Sequence, residues 1–341
     1  MKILYGVQAT GNGHITRART MARELDEAGF EVDYIFSGRP CDKLFNMEPF
    51  GDYRCHPGLT FATEKGKIRY LKTAATNNLF RFIKDVRTLD LSGYDLVITD
   101  FEPITAWAAR IKKVPCVAIG HQYAFKYNIP VAGSNPIARF IMKIFAPSQR
   151  SLGIHWHHFN SPILPPMIEP VDNPLEHRAN KILVYLPFND RNDVISWLSD
   201  IDGYDFYIYC DIEQPDDNSN IHLRPFSRQG FINDLANCSG IISNAGFELL
   251  SEGIQCGKKL LITPLKGQME QISNALAIKQ LGYGDVMTNL DLEMLTAWLS
   301  KPSPEPRPYP NVAKSIVNWI KSGMTEDEES LARRLWAQVK P

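Results

Sequence analysis

Apolar residues along this chain gather into short runs separated by stretches in which they recur at helical spacing. The strand-like runs are Lys2–Val7, Val32–Phe36, Leu96–Thr99 and Cys116–Ile119, then Ile182–Leu186, Phe206–Tyr209, Gly240–Ser243 and Lys259–Thr263. Their alternation with helical patterns predicts parallel sheets with crossover helices. The series pauses at Phe159-Asn160-Ser161-Pro162-Ile163-Leu164-Pro165-Pro166 and resumes after Pro170 and Pro174. Proline continues neither a helix nor a central strand, so a linker is expected over 161–178, between domains at 1–160 and 179–310. The fold class is α/β, with two doubly wound domains facing a cleft and ligands expected at the carboxyl ends of the strands. A second proline-rich segment, Lys301 to Pro310, ends the sheet pattern. Residues 311–341 should then form two helices that can pack back on the first domain: Val312–Ile320 is apolar at helical spacing, and Thr325 opens an acidic first turn, Glu326-Asp327-Glu328-Glu329.

Composition changes this picture little. The chain has 341 residues, and its 44% apolar and 22% charged content is ordinary for globular domains. Its N-terminal apolar run is too short for a signal segment, and no run approaches the roughly 18 residues of a membrane-spanning helix. A cytoplasmic protein, peripheral at most at the inner face of a membrane, is expected. Six scattered cysteines without a C-x-x-C pair suggest reduced thiols. Charge is distributed unevenly: residues 1–165 hold 21 Lys and Arg against 14 Asp and Glu, although the whole chain is at -1. No acid lies between Glu102 and Glu169, where Arg110, Lys112, Lys113, Lys126, Arg139, Lys143 and Arg150 fall. This basic half either attracts an anionic acceptor or membrane surface, or is simply a solvated face. With a pI near 6.7 and no recognised binding module, nucleic acid is not an expected partner.

Candidate chemistry begins where the first strand ends, in Gln8-Ala9-Thr10-Gly11-Asn12-Gly13-His14-Ile15-Thr16-Arg17-Ala18. Gly11 and Gly13 allow close backbone approach, and the helix that follows offers free N–H groups to an anion. Thr16 stands where a dinucleotide fingerprint needs glycine, and no Gly-Lys-Ser/Thr P-loop is present, so redox and NTPase readings lose ground. An imidazole at His14 suits a general base. Another strand ends in Val97-Ile98-Thr99-Asp100-Phe101-Glu102-Pro103, so Asp100 should leave the same sheet edge. It either orients His14 or caps the helix after Pro103. His121 and Gln122, after the next strand, either position an acceptor or hold their loop.

The second half carries the more specific pattern. Strand Gly240-Ile241-Ile242-Ser243 delivers Asn244-Ala245-Gly246-Phe247-Glu248, followed by Ser251-Glu252-Gly253, and a later loop reads Lys266-Gly267-Gln268-Met269-Glu270-Gln271-Ile272-Ser273-Asn274-Ala275. A small-residue turn into a helix N-terminus cradles a diphosphate, and a carboxylate nearly two turns along can accept two ribose hydroxyl protons. Order and spacing resemble the MurG-like and UDP-glycosyltransferase superfamily of inverting GT-B enzymes, which have two Rossmann-like domains. Gly246, Glu252, Glu270-Gln271 and Asn274-Ala275 keep the separations of that family's donor motif. The resemblance implies Glu252 on the ribose, Asn244, Ala245 and Gly246 near the phosphates, and Glu270, Gln271 and Asn274 around the donor sugar. It places Phe226, in Leu223-Arg224-Pro225-Phe226, near the uracil edge, and His14 at the family's catalytic histidine. Glu248 departs from the family, because a carboxylate beside a diphosphate is electrostatically awkward unless it turns away, caps the helix or meets a cation.

The expectation is therefore a metal-independent, inverting hexosyltransferase that uses a nucleotide sugar, UDP-linked by resemblance, as substrate and needs no cofactor. Its acceptor is a lipid-linked molecule or an anionic glycan, since Phe61–Arg87 mixes apolar residues with Lys65, Lys67, Arg69, Tyr70, Lys72 and Arg81; an amphipathic cover on the sheet is the other reading of that stretch. A nucleotide-sugar epimerase or hydrolase, or a non-catalytic binding protein, would need the same donor half. Asp100-Phe101-Glu102 has the outline of a D-x-D metal motif, and His155, His157 and His158 read as ordinary strand histidines near the linker.

Overall fold

The computed structural model describes residues 1–60, 77–133, 136–169 and 178–340, with backbone only at 136–139 and in two short strands between residues 63 and 68. The side chains of Lys65, Lys67, Arg69, Tyr70, Lys72 and Arg139, and the linker prolines Pro170 and Pro174, lie outside the described residues.

The first half builds β1 (Lys2–Gln8), β2 (Glu31–Ser37), β3 (Tyr53–His56), the pair β4 (Thr63–Glu64) and β5 (Lys67–Ile68), β6 (Leu96–Asp100), β7 (Cys116–Gly120), β8 (Arg150–Ile154) and β9 (Ile163–Leu164). Apart from the β4–β5 pair these form one parallel sheet in the order β3-β2-β1-β6-β7-β8-β9. The second half builds β10 (Lys181–Tyr185), β11 (Asp205–Tyr209), β12 (Asp216–Asn218), β13 (Ile221–Arg224), β14 (Gly240–Ser243), β15 (Lys259–Ile262) and β16 (Asp285–Val286). Its sheet runs β12-β13-β11-β10-β14-β15-β16, with only β12 antiparallel. Helices cover both faces, which is why the central strands are unbroken apolar runs: Ile3, Leu4, Tyr5 and Val7, and Ile182, Leu183 and Val184, are fully buried.

Each sheet has a switch point where the strand order turns, between β1 and β6 in the first and between β10 and β14 in the second. Register places Val7 opposite Asp100 and Tyr185 opposite Ser243, so the loops that carry His14 and Asn244 leave directly at these two points.

Helix Val312–Lys321 buries Val312, Ile316, Val317 and Ile320 and lies along helix Asn12–Glu27 of the first sheet. Asn311 Nδ2 donates to Glu24 Oε1 there at 2.8 Å. Helix Glu328–Trp336 lies by β9, where Trp336 Nε1 donates to the Ile163 carbonyl at 2.7 Å. Arg150 of the basic stretch is spent on this docking: its guanidinium meets Glu328 at 2.6 Å and the carbonyls of Met324 and Glu326, and stacks over Trp319.

Two expectations are corrected. Cys41 and Cys55 form a disulfide with their Cα atoms 5.9 Å apart, while Cys116, Cys210, Cys238 and Cys256 are free thiols. The loop after β2 folds back on β3 and brings the pair together, a tertiary proximity that their spacing of 14 does not announce. His155, His157 and His158 follow β8 in a turn instead of extending it. His155 is buried and its Nδ1 accepts from the Trp156 N–H.

Candidate active site

The carboxyl edges of the two sheets enclose a cleft of about 860 Å³. On its first wall the loop after β1 turns at Gly11 into helix Asn12–Glu27, whose first turn holds Gly13 and His14, and His14 Nδ1 lies 2.6 Å from Asp100 Oδ1. That contact leaves Nε2 of the imidazole for the cleft. Asp100 is fully buried and is also held by Arg17, whose Nε and Nη2 donate to Oδ2 and Oδ1 at 2.7 and 2.6 Å. Burial alone would raise the Asp100 pKa, but the Arg17 guanidinium and His14 hold it below the ordinary carboxylate range. Asp100 does not cap the following helix. Glu102 does: it accepts from the N–H groups of Ile104 and Thr105 at 2.9 and 2.7 Å and from the hydroxyls of Thr105 and Ser37. A side chain at Gly6 would collide with Thr105 and Glu102, so the strand needs glycine beside this cap.

On the second wall Gly246 is the N-cap of helix Phe247–Gln255, and among the described residues no side chain caps that helix's first N–H groups. Asn244 Nδ2 donates to the Thr263 carbonyl at 2.9 Å, while its buried Oδ1 has no hydrogen-bond partner among the described residues. Ala245 is fully buried and contributes its carbonyl to Asn274. Glu248 meets a cation, Arg17 Nη1, across the cleft. Gly13 permits the approach, since a Cβ there would sit 2.9 Å from Glu248 Cγ. Burial pushes the Glu248 carboxyl up to about 8 against the pull of Arg17, and Asp100 and Glu252 add to the rise.

Glu252 accepts from Arg228 Nη2 at 3.0 Å, and Arg228 also reaches Glu169 at 2.7 Å. Phe226 is 38% exposed, with Tyr185 edge-on to it at 6.3 Å. Gln122 Nε2 donates to Glu270 Oε2 at 3.1 Å, while the Gln271 side-chain oxygen accepts from the Leu265 N–H and closes its own loop. His121 is fully buried, stacked on Phe247 at 4.0 Å, with Nδ1 against the Ile154 carbonyl and Nε2 against Asn274 Oδ1. Burial lowers its pKa. The structure thus gathers Gly11, Gly13, His14, Phe226, Asn244, Gly246, Glu252, Glu270 and Gln271 around one cavity. Asp100, Ala245 and Asn274 stand behind its surface, and His121 and Asn274 tie the domains together.

Three cleft residues escaped sequence reasoning. Arg17, Arg39 and Tyr185 line the cleft, and the sequence pattern gave none of them a role. Arg39 donates to Asn12 Oδ1 at 2.9 Å and to the Thr10 carbonyl, and Asn12 in turn donates to Tyr185 across the cleft. Among the described residues no three His, Cys, Asp or Glu side chains gather as a metal site.

Two doubly wound domains that close on one cleft from their carboxyl edges constitute the GT-B architecture. The chain belongs to glycosyl transferase family 1, whose model matches residues 1–302, and it is a glycosyltransferase. Solved structures share its fold from end to end. The glycosyltransferase SnogD from Streptomyces nogalater is 18% identical, covering 99% of both chains at a TM-score of 0.56. MurG of Acinetobacter baumannii is 14% identical over 94% of this chain and 99% of its own, with a TM-score of 0.54. Arabidopsis thaliana UGT89C1, solved with UDP, is 12% identical over 98% of each chain, with a TM-score of 0.57. No curated protein sequence matches the chain.

Proposed function

We propose that the protein transfers a hexosyl unit from a UDP-sugar to an acceptor hydroxyl with inversion and without a divalent metal. The observation that carries this reading is the His14 Nδ1–Asp100 Oδ1 contact of 2.6 Å on one wall of the cleft, opposite the glycine-capped N-terminus of helix Phe247–Gln255 on the other. The acceptor hydroxyl gives its proton to His14 Nε2 as its oxygen bonds to the anomeric carbon. The bond from that carbon to the diphosphate breaks on the opposite face, and the diphosphate leaves with the electron pair toward the helix N–H groups. Asp100 steadies the imidazolium that forms. Metal independence is supported by how the D-x-D-like pair is used: Arg17 and His14 hold Asp100, and Glu102 is spent on a helix cap. A uridine nucleotide is supported by the family's donor motif and by the UDP bound to UGT89C1.

The acceptor reading follows the apolar wall beyond Asp100. Phe101, in left-handed conformation at φ 53°, stacks on Phe145 at 4.9 Å, and both line the cleft with Ile141 and Met142. An acceptor with an apolar body beside its hydroxyl suits this wall. Helix Leu79–Thr88 exposes Leu79, Phe80 and Ile83 among Arg81, Lys84 and Arg87, a face suited to peripheral contact with an anionic lipid surface. Among the described residues no helix is long and apolar enough to cross a membrane.

Slow hydrolysis of the donor tests the chemistry before the acceptor is in hand. UDP release from a panel of UDP-sugars should fall about 10²-fold or more in His14→Ala, with UDP affinity unchanged. Proton NMR should show that an α-linked donor first yields the β-sugar. Equal release by both proteins, or initial retention, contradicts the proposal.

A further inference from the structure

The loop between β2 and β3 contributes to the cleft in a way that nothing in the donor motif accounts for. Phe45, on this loop, and Phe226, after β13, come from different domains, and both line the cleft. Their rings are parallel within 10° with centroids 6.3 Å apart. That separation lies toward the upper end of the roughly 4.5–7 Å between centroids of interacting ring pairs, so the two faces need part only a little further to admit a planar base. We propose that Phe45 is the first domain's wall of the nucleobase site, so that the donor's base is taken between Phe45 and Phe226. This rests on the UDP-sugar reading above.

The position of Phe45 is built. Arg19, only 9% exposed, donates from Nη2 to the Phe45 carbonyl and from Nε to the Asn46 carbonyl, each at 3.1 Å. Asn46 takes the left-handed conformation at φ 52°, uncommon for a residue with a side chain, and its Oδ1 lies 3.4 Å from the Arg228 N–H of the other domain. The Cys41–Cys55 disulfide fixes the start of the same loop to β3. On the opposite side Tyr185 stands edge-on to Phe226, and Phe231 edge-on to Tyr185 at 5.7 Å, so the Phe226 wall is braced as well. Phe226 remains 38% exposed within this bracing. Two braced, parallel and partly exposed rings present flat apolar faces of the kind a pyrimidine stacks on. With one ring from each domain, the base would bridge the domains, and donor binding would draw the cleft closed before the acceptor reacts.

The test is equilibrium titration of UDP, and in parallel of ribose 5-diphosphate, into wild type, Phe45→Ala and Phe45→Trp. Loss of one stacking wall should weaken UDP binding in Phe45→Ala by about 5- to 150-fold and leave ribose 5-diphosphate, which has no base, within twofold of wild type. Phe45→Trp should bind UDP within a few-fold of wild type and show tryptophan fluorescence quenched by UDP but not by ribose 5-diphosphate. The Trp variant keeps the test decisive if Phe45→Ala fails to fold. UDP binding by Phe45→Ala within twofold of wild type, an equal loss for both ligands, or an unquenched tryptophan at saturating UDP overturns the role of Phe45 alone and marks the ring pair as a simple apolar seal between domains. If wild type itself does not bind UDP, the donor reading falls and this inference with it.

Discussion

A carboxylate in the first turn of a helix suits the helix dipole but repels a diphosphate brought to the same end. Glu248 stands in that position, and Arg17 together with a retained proton resolves the conflict. The groups that face it are Arg17, Asp100 and Glu252, and burial carries its pKa from 4.5 up to about 8. A raised pKa means that the native state keeps a proton the unfolded chain has released. The resulting stability is complete below about pH 4.5 and is lost as pH rises through about 8. Wild type should therefore lose Tm relative to Glu248→Gln between pH 5 and pH 8, as followed by circular dichroism; parallel Tm curves would contradict this. Asp100 works in the opposite direction, since its depressed pKa adds stability that disappears only at pH below 3.8, and the two windows do not overlap. The meeting of His14 with Asp100 was legible because Asp100 closes one apolar strand run and His14 opens the helix that follows another. Arg17 was not, because a charged residue on an amphipathic helix reads as solvated until its partners, 83 and 231 positions away, are known.

At the scale of elements, the pairing of Asp100 with His14 depends on a division of labour between two neighbouring acids. Glu102 takes the helix N-terminus and the buried Ser37 hydroxyl, which frees Asp100 to face His14. Glu102→Ala removes a cap and strands buried donors, so urea denaturation should show a loss of about 1–3 kcal/mol. A loss under about 0.3 kcal/mol would mean that the cap has no such role. The central strands were legible as elements because a parallel strand covered on both faces is a continuous apolar run. β3, with Tyr53-Arg54-Cys55-His56, and β13, with Ile221-His222-Leu223-Arg224, were not, because strands toward the sheet margins carry polar side chains that break such a run. The Cys41–Cys55 link was hidden for the same reason, since it hangs on β3.

Over the whole molecule, the two domains meet through polar contacts on several cleft loops: Asn12 with Tyr185, Arg17 with Glu248, Gln122 with Glu270, and His121 with Asn274. Two of these occupy residues that the family motif associates with the donor sugar, so Glu270 must exchange Gln122 for a sugar hydroxyl if it is to hold the donor. The motif spacing was legible in the sequence, whereas this interdomain bonding was not, because it depends on loops from the first sheet reaching the second. The proposed function requires the cleft to bind a uridine diphosphate sugar through the Gly246 helix and Glu252. Calorimetric titration of nucleoside diphosphates and their sugars into wild type and Glu252→Ala tests it most directly. Loss of two hydrogen bonds that the ribose hydroxyls would donate to the Glu252 carboxylate should weaken binding of UDP and its sugars about tenfold or more in the variant, while Arg228 keeps Glu169 as its partner. Equal affinity in both proteins, or no nucleoside diphosphate bound by wild type, would contradict the account.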